Sequence, residues 1–146
     1  MSKQVLDRLQ MRHLKELGVS VNNASMCWLK DLTKEIAEGR EIDMATGWNL
    51  DFNNPEFYKY EWMQGVPTLT LQDILDLLPR EIHPKDSTFS TYYLFIDYYY
   101  KQISYSEQLG YGEYKGFSFS HNNILIDAAY EMLRWCIEKG YVSTDK

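Results

Sequence analysis

The sequence predicts an α+β domain in which a small antiparallel sheet, centred on a tyrosine-rich hairpin, packs against three or four helices. Three observations carry that reading. Apolar residues recur at helical spacing near both ends of the chain and around residues 70–78. Two runs, 91–105 and 113–120, alternate with the period of a strand. A chain of 146 residues is long enough for one domain, 1–146, with a single core.

In chain order, residues 3–17 read as an amphipathic helix that places Val5, Leu6, Leu9, His13 and Leu17 on one stripe and stops at Gly18. His13 is then a helix-face residue packed on the body. The stretch SVNNASMCWLKDLTKEIAEGREID has two readings. Leu29, Leu32 and Ile36 fit a helix over about 27–38 ending at Gly39, whereas SMCWL alone fits a short strand. The helix is preferred. From Thr46 to Gly65 the chain is aromatic and irregular, with Asn53-Asn54-Pro55 as a turn signal, so a small hairpin and an ordered loop both fit.

VPTLTLQDILDLLPREI is the clearest local signal. Thr70 caps a helix, Asp73 stands near the capping-box position, and Leu71, Ile74, Leu75 and Leu78 form its apolar face. Pro79 marks its end. His83 follows in a proline-bearing loop with no nucleophile or acid paired to it in sequence. In TYYLFIDYYYKQISYS, period 2 places Tyr92, Leu94, Ile96, Tyr98 and Tyr100 on a core face, and Tyr93, Phe95, Asp97, Tyr99 and Lys101 on a mixed face. SEQLGYGE supplies the glycines of a reversal, and EYKGFSFSH returns with Phe117 and Phe119 on one face. The last helix, about 123–139, is capped by Asn122 or Asn123 and ends at Gly140. It buries Leu125, Ala128, Ala129, Met132, Leu133 and Cys136, and the two alanines let it approach the sheet closely.

Composition narrows the function. Tyrosine is in excess, 12 against 6 Phe and 4 Trp, which suits half-exposed sheets and interfaces because the ring buries area while the hydroxyl meets water. A net charge of −6 argues against a phosphate-tracking nucleic-acid binder. The acidity between Asp31 and Glu61 is interspersed with Lys30, Lys34 and Arg40, so it reads as solvated surface and not as a DNA mimic. Cys27 and Cys136 are far apart, with no CxxC and no Cys/His cluster, so neither zinc nor a disulfide framework is indicated. The opening MSKQVLDRLQ has no apolar stretch of the secretory kind, and no run approaches the ~18 apolar residues of a membrane span. A reduced cytoplasmic setting is expected.

No P-loop, GxGxxG, GxSxG, HExxH or EF-hand pattern is present, and GYGEYKG sits between strands where a hairpin turn explains it better than a phosphate loop. No cofactor and no catalytic residue is assigned. The candidate interface is Tyr93, Phe95, Tyr99 and Lys101. A second candidate is a ring platform of Trp48, Tyr58, Tyr60 and Trp62 for a sugar or a base, against a satellite core built from the same rings. An enzyme would need a pocket that collects His83 or His121 with carboxylates.

Three blocks, ELGVSVNNASMCWLK, VPTLTLQDILDLLPREI and LIDAAYEMLRWCIEKGYV, cover a little over a third of the chain. In this order they resemble a family of short phage- and prophage-encoded proteins of gut bacteria, alike in an ASMCW element, a PTFTLQDILDLLP helix and a closing LIDAAYEMLxWCIENGY helix. The resemblance implies an accessory protein acting in the bacterial cytoplasm or carried in the particle. It brings no activity, cofactor or site residue. The expectation is therefore a non-enzymatic module that binds a protein partner, a second copy included, with no role for nucleic acid or membrane.

Overall fold

The computed structural model describes residues 3–85, 90–110 and 112–144, the side chain of Tyr114 excepted. The elements run α1 (Arg8–Glu16), β1 (Met26–Asp31), α2 (Thr33–Glu38), β2 (Asn49–Phe52), a 3₁₀ turn (Pro55–Lys59), β3 (Met63–Thr68), α3 (Leu71–Leu77), β4 (Glu81–Ile82), β5 (Tyr92–Asp97), β6 (Gln102–Gly110), β7 (Glu113–His121) and α4 (Leu125–Glu138). They form an α+β fold with two antiparallel sheets, β2-β1-β3 and β4-β5-β6-β7, where the sequence led us to expect one.

The first helix starts later than its apolar pattern suggests. Asp7 accepts from the backbone N–H of Gln10, and the Gln10 side-chain oxygen accepts from the Asp7 N–H, so a capping box opens α1 at Arg8. Val5 and Leu6 are buried, but as extended chain: Val5 bridges Thr70, and the Leu6 N–H donates to the Leu69 carbonyl at 3.0 Å. The helix therefore buries Met11 and Leu14 while Leu9 points outward, which corrects the predicted stripe. His13 is half-buried with a ring nitrogen 3.2 Å from the Tyr130 hydroxyl, so it does pack on the body.

SMCWL is strand. β1 is the central strand of its sheet, paired with β3 over Met26–Asp31 and with β2 over Met26–Leu29, and these two ladders outweigh the helical spacing of Leu29, Leu32 and Ile36. Helix is left only to α2. Asp31 holds its first turn by accepting from the Thr33 N–H and hydroxyl, and Gly39 ends it in the left-handed region at φ +63. The 46–65 stretch holds β2, the 3₁₀ turn and β3. Asn54 caps the turn, which lays the Tyr58 ring over Gly65; a Cβ there would stand 2.6 Å from a ring carbon.

α3 has its capping box, Thr70 with Asp73, and buries Ile74. Beyond the capping box, the Asp73 carboxylate also accepts from the Ser25 N–H and hydroxyl at 2.9 and 2.6 Å, tying the start of β1 to α3. On the four-stranded sheet, Ile82, Tyr92, Ile103 and Tyr105 face α4 and meet Ala128, Ala129, Met132, Leu133 and Cys136 in one core cluster with α1 and α3. Burying each large side chain contributes about 2 kcal/mol. The alanines do allow close approach: Ser120 Oγ donates 2.5 Å to the Ala128 carbonyl. The asparagines do not cap α4 directly. Ile124 holds the cap position, and Asn122 accepts from the Ile124 N–H at 3.0 Å.

The run 91–105 is not one strand. β5 and β6 form a hairpin whose last pair is Asp97↔Gln102, and residues 98–101 are its turn. Asp97 accepts from the Tyr100 N–H at 3.0 Å, and Lys101 takes φ +52 to close the turn. Tyr98 and Tyr100, predicted as core, are exposed for that reason, while Tyr92 is core as predicted. A second departure lies in β7. A bulge inserts Phe117 beside the Tyr105↔Ser118 pair, so Phe117 turns to the inner side, stacked 4.7 Å from Tyr92 and 5.9 Å from Trp135. Phe119 stays on the outer side, and the two rings do not share a face.

Candidate functional site

The outer face of the four-stranded sheet follows from the inner one. Because Ile103 and Tyr105 point to α4, Ser104 and Ser106 point away from it, and their cross-strand neighbours share that side. The rows are Tyr93↔Ser106, Phe95↔Ser104↔Phe119 and Asp97↔Gln102↔His121, with Glu81 beside Tyr93. Phe95 and Phe119 stand two strand spacings apart, about 10 Å. Between their strands β6 contributes Ser104 and Ser106, whose hydroxyls lie 3.3 Å apart. Ser106 is buried. Among the described residues no helix lies over this face: α4 packs on β6 and β7 from the other side, and α3 packs on α4.

At the end of the β5–β6 hairpin the turn lifts Tyr98, Tyr99 and Tyr100 into solvent. Tyr99 is 85% exposed and meets Tyr100 edge to face at 4.8 Å. On the sheet face Tyr93 (49%), Phe95 (39%) and Phe119 (69%) are also exposed, separated from the turn by the Asp97–Gln102–His121 row. At the ~200 Å² an aromatic side chain presents, the six rings leave roughly 700 Å² in water.

The four interface residues chosen from the sequence fall in two places, Tyr93 and Phe95 on the outer sheet face and Tyr99 and Lys101 in the hairpin turn. Tyr98, Tyr100 and Phe119 were missed. The clue to the first two was Asp97, a turn-opening residue in a run without Gly or Pro. Nothing in EYKGFSFSH marks the bulge except Gly116.

The ring platform is not assembled. Tyr60 and Trp62 do stand together, centroids 5.1 Å apart, and Trp62 borders a hollow of about 380 Å³ with Thr33, Ile36 and Ala37. Tyr58 instead covers Gly65 and gives its hydroxyl to Asn53 Oδ1 at 2.5 Å; burial, with Cys27 beside it, pushes that hydroxyl up to about 12. Trp48 lies under the Arg8 guanidinium at 4.5 Å and donates to the Met44 carbonyl. Two of the four rings hold the small sheet in place, the satellite-core reading.

His83 does have partners. Its ring nitrogens lie 3.2 Å from Thr91 Oγ1 and 3.4 Å from Glu81 Oε1, a hydroxyl–imidazole–carboxylate chain formed when β4 pairs with β5. The imidazole and carboxylate are 62% and 50% exposed, so water competes for each bond and the chain gains little of the polarisation that a buried triad has. His121 lies apart, in the Asp97 row. Both cysteines are buried; burial pushes the Cys27 thiol up and the Cys136 thiol up to about 11, away from the reactive thiolate. Among the described residues no group of three or more His, Cys, Asp or Glu side chains is placed to hold a metal ion, and no helix is long and apolar enough to cross a membrane.

No protein-family model, no curated protein and no solved structure matches the chain.

Proposed function

We propose that the chain is a non-enzymatic accessory protein of a phage or mobile element that works in the host cytoplasm by binding protein through the outer face of its four-stranded sheet. The observation that carries the binding mode is the exposure of Tyr93, Phe119 and the turn tyrosines Tyr98–Tyr100 on and beside a sheet face that, among the described residues, no helix packs against. Tyrosine supplies contact area at low entropic loss, and a turn of three tyrosines beside two flat rows resembles the composition of a binding loop. The resemblance of the ASMCW, TLQDILDLLP and LIDAAYEML blocks supports the biological setting.

The test is capture by the immobilised full chain from prophage-carrying cells, with the Tyr93→Ser/Tyr99→Ser/Phe119→Ser variant alongside. The variant should keep its circular dichroism spectrum and lose at least tenfold in the proteins retained. Equal retention by both forms overturns the reading.

The Tyr60–Trp62 pair and the hollow beside it favour a second reading, a small ligand with a flat face such as a sugar or a base. A thermal-shift screen with sugars and nucleotides should then give a hit that Trp62→Ala abolishes, and a blank screen counts against it.

A further inference from the structure

Between the loop 19–25 and α3 lies a hollow of about 390 Å³. Ala24 and Leu69, both buried, and the half-buried Leu77 give it an apolar wall. Ser20, Asn23, Asp73 and Asp76 give it oxygen atoms. Apolar walls with a few polar groups, in a volume of ~300–1,000 Å³, are the usual make-up of a small-ligand site. We propose that this hollow binds a primary ammonium ion carried on an alkyl chain, the chemistry shared by a free alkylamine and a lysine side chain.

Charge selects a cation. Asp73 and Asp76 both stand on α3, and among the described residues none that lines the hollow is basic. The last turn of α3, which holds Asp76 and Leu77, carries no basic side chain, so the negative end of the helix dipole adds to the two carboxylates. The free lone pairs then favour an ammonium over a metal ion. A carboxylate has about four lone-pair sites, and Asp73 already accepts from the Ser25 N–H, the Ser25 hydroxyl and the Thr70 N–H. Those bonds fix it in place and leave little for a metal. Gln72 donates to Asp76 Oδ1 at 2.8 Å, which leaves Oδ2 free. Calcium takes about 6–8 oxygen ligands, more than remain here. An ammonium brings three N–H donors, matched by Asp76, by the last site on Asp73 and by an Asn23 or Ser20 oxygen. Its methylenes use the Ala24, Leu69 and Leu77 wall, as the stem of a lysine does on any apolar surface.

The experiment is isothermal titration calorimetry of the full chain with n-butylammonium chloride and, in parallel, Nα-acetyl-lysine N-methylamide. Each is taken to about 20 mM, because so small a ligand binds in the millimolar range. Binding of at least one is expected. Tighter binding of butylammonium assigns the site to a free amine, and tighter binding of the lysine amide to a side chain of another protein. Asp76→Asn removes a charge at an exposed position, and Ser20→Trp fills the hollow while keeping both carboxylates. Each should weaken binding by roughly tenfold or more, the loss of one hydrogen bond to a charged group, with unchanged circular dichroism. Glu61→Gln, an exposed acid that does not line the hollow, should bind as wild type does. No heat from either amine, tetramethylammonium binding as tightly as butylammonium, calcium chloride binding more tightly than both amines, or binding that survives both hollow variants overturns the proposal.

Discussion

Replacing Tyr105 by phenylalanine tests the division of the tyrosine run into core and surface. Tyr105 is fully buried, and its hydroxyl donates 2.7 Å to the carbonyl of Pro79, where the chain leaves α3. The Cys136 thiol sits 3.8 Å from the same oxygen. The change keeps the ring, so the apolar area buried against α4 is almost unaltered. What is lost is the part-buried bond to the Pro79 carbonyl and the weaker one from the Cys136 thiol, and both groups are left without that partner. Such a loss amounts to about 1–3 kcal/mol. At ~2 cal/mol/K of unfolding entropy per residue, a chain of this length loses about 3 °C in Tm per kcal/mol. Differential scanning calorimetry at pH 7 should therefore show a fall of about 3–9 °C. Tyr99→Phe, at an 85% exposed position, should move Tm by less than about 2 °C. A Tyr105→Phe protein melting within a degree of wild type, or a Tyr99→Phe protein falling as far, would refute the division.

Two further outcomes follow from buried and bridging groups. Burial raises the Asp73 carboxyl, but the bonds from Ser25 and Thr70 outweigh it and hold it below its usual 3.8. A lowered carboxyl stabilises above its unfolded value and the gain is lost as pH falls through the folded one. Asp73→Asn should thus lower stability by about 1–3 kcal/mol at pH 7, and urea melts repeated below pH 3.8 should find the two proteins converging. For Cys136 the sign is reversed. Burial raises its thiol from 9.0 to about 11, so its contribution is complete below pH 9 and is lost as pH climbs toward 11. Tm measured over that range should fall less steeply in Cys136→Ala than in wild type; parallel curves would show that the thiol does not titrate with unfolding.

The two most legible helices were those with local signals that agree with their packing. In α3, Thr70, Asp73 and the Leu71–Leu78 spacing all name the same element, and in α4 the Ala128–Ala129 pair and Cys136 lie where the period puts them. Of the candidate face, Tyr93 and Phe95 could be read because strand alternation survives up to Asp97. Beyond Asp97 the alternation is cut by a turn without glycine or proline, and Tyr98 to Tyr100 lose their assigned sides. At Phe117 one extra residue reverses every side assignment before it relative to Phe119.

The amino-acid order alone determined the α+β class, the caps and stops of α3 and of Gly39, the core side of α4 and the tyrosine-rich hairpin character of 91–120. Each of these depends on residues within a turn or two of one another, where propensity and spacing act directly. Tertiary structure decided what distant ladders and packing control: that SMCWL is the central strand between β2 and β3, that Tyr58 and Trp48 serve the small sheet, that Asp73 reaches Ser25, and that Tyr93, Phe95 and Phe119 share the outer face of the larger sheet while Tyr98 to Tyr100 form its turn. A strand's identity depends on which neighbours satisfy its backbone, and a surface exists only once every other element has chosen the side it buries.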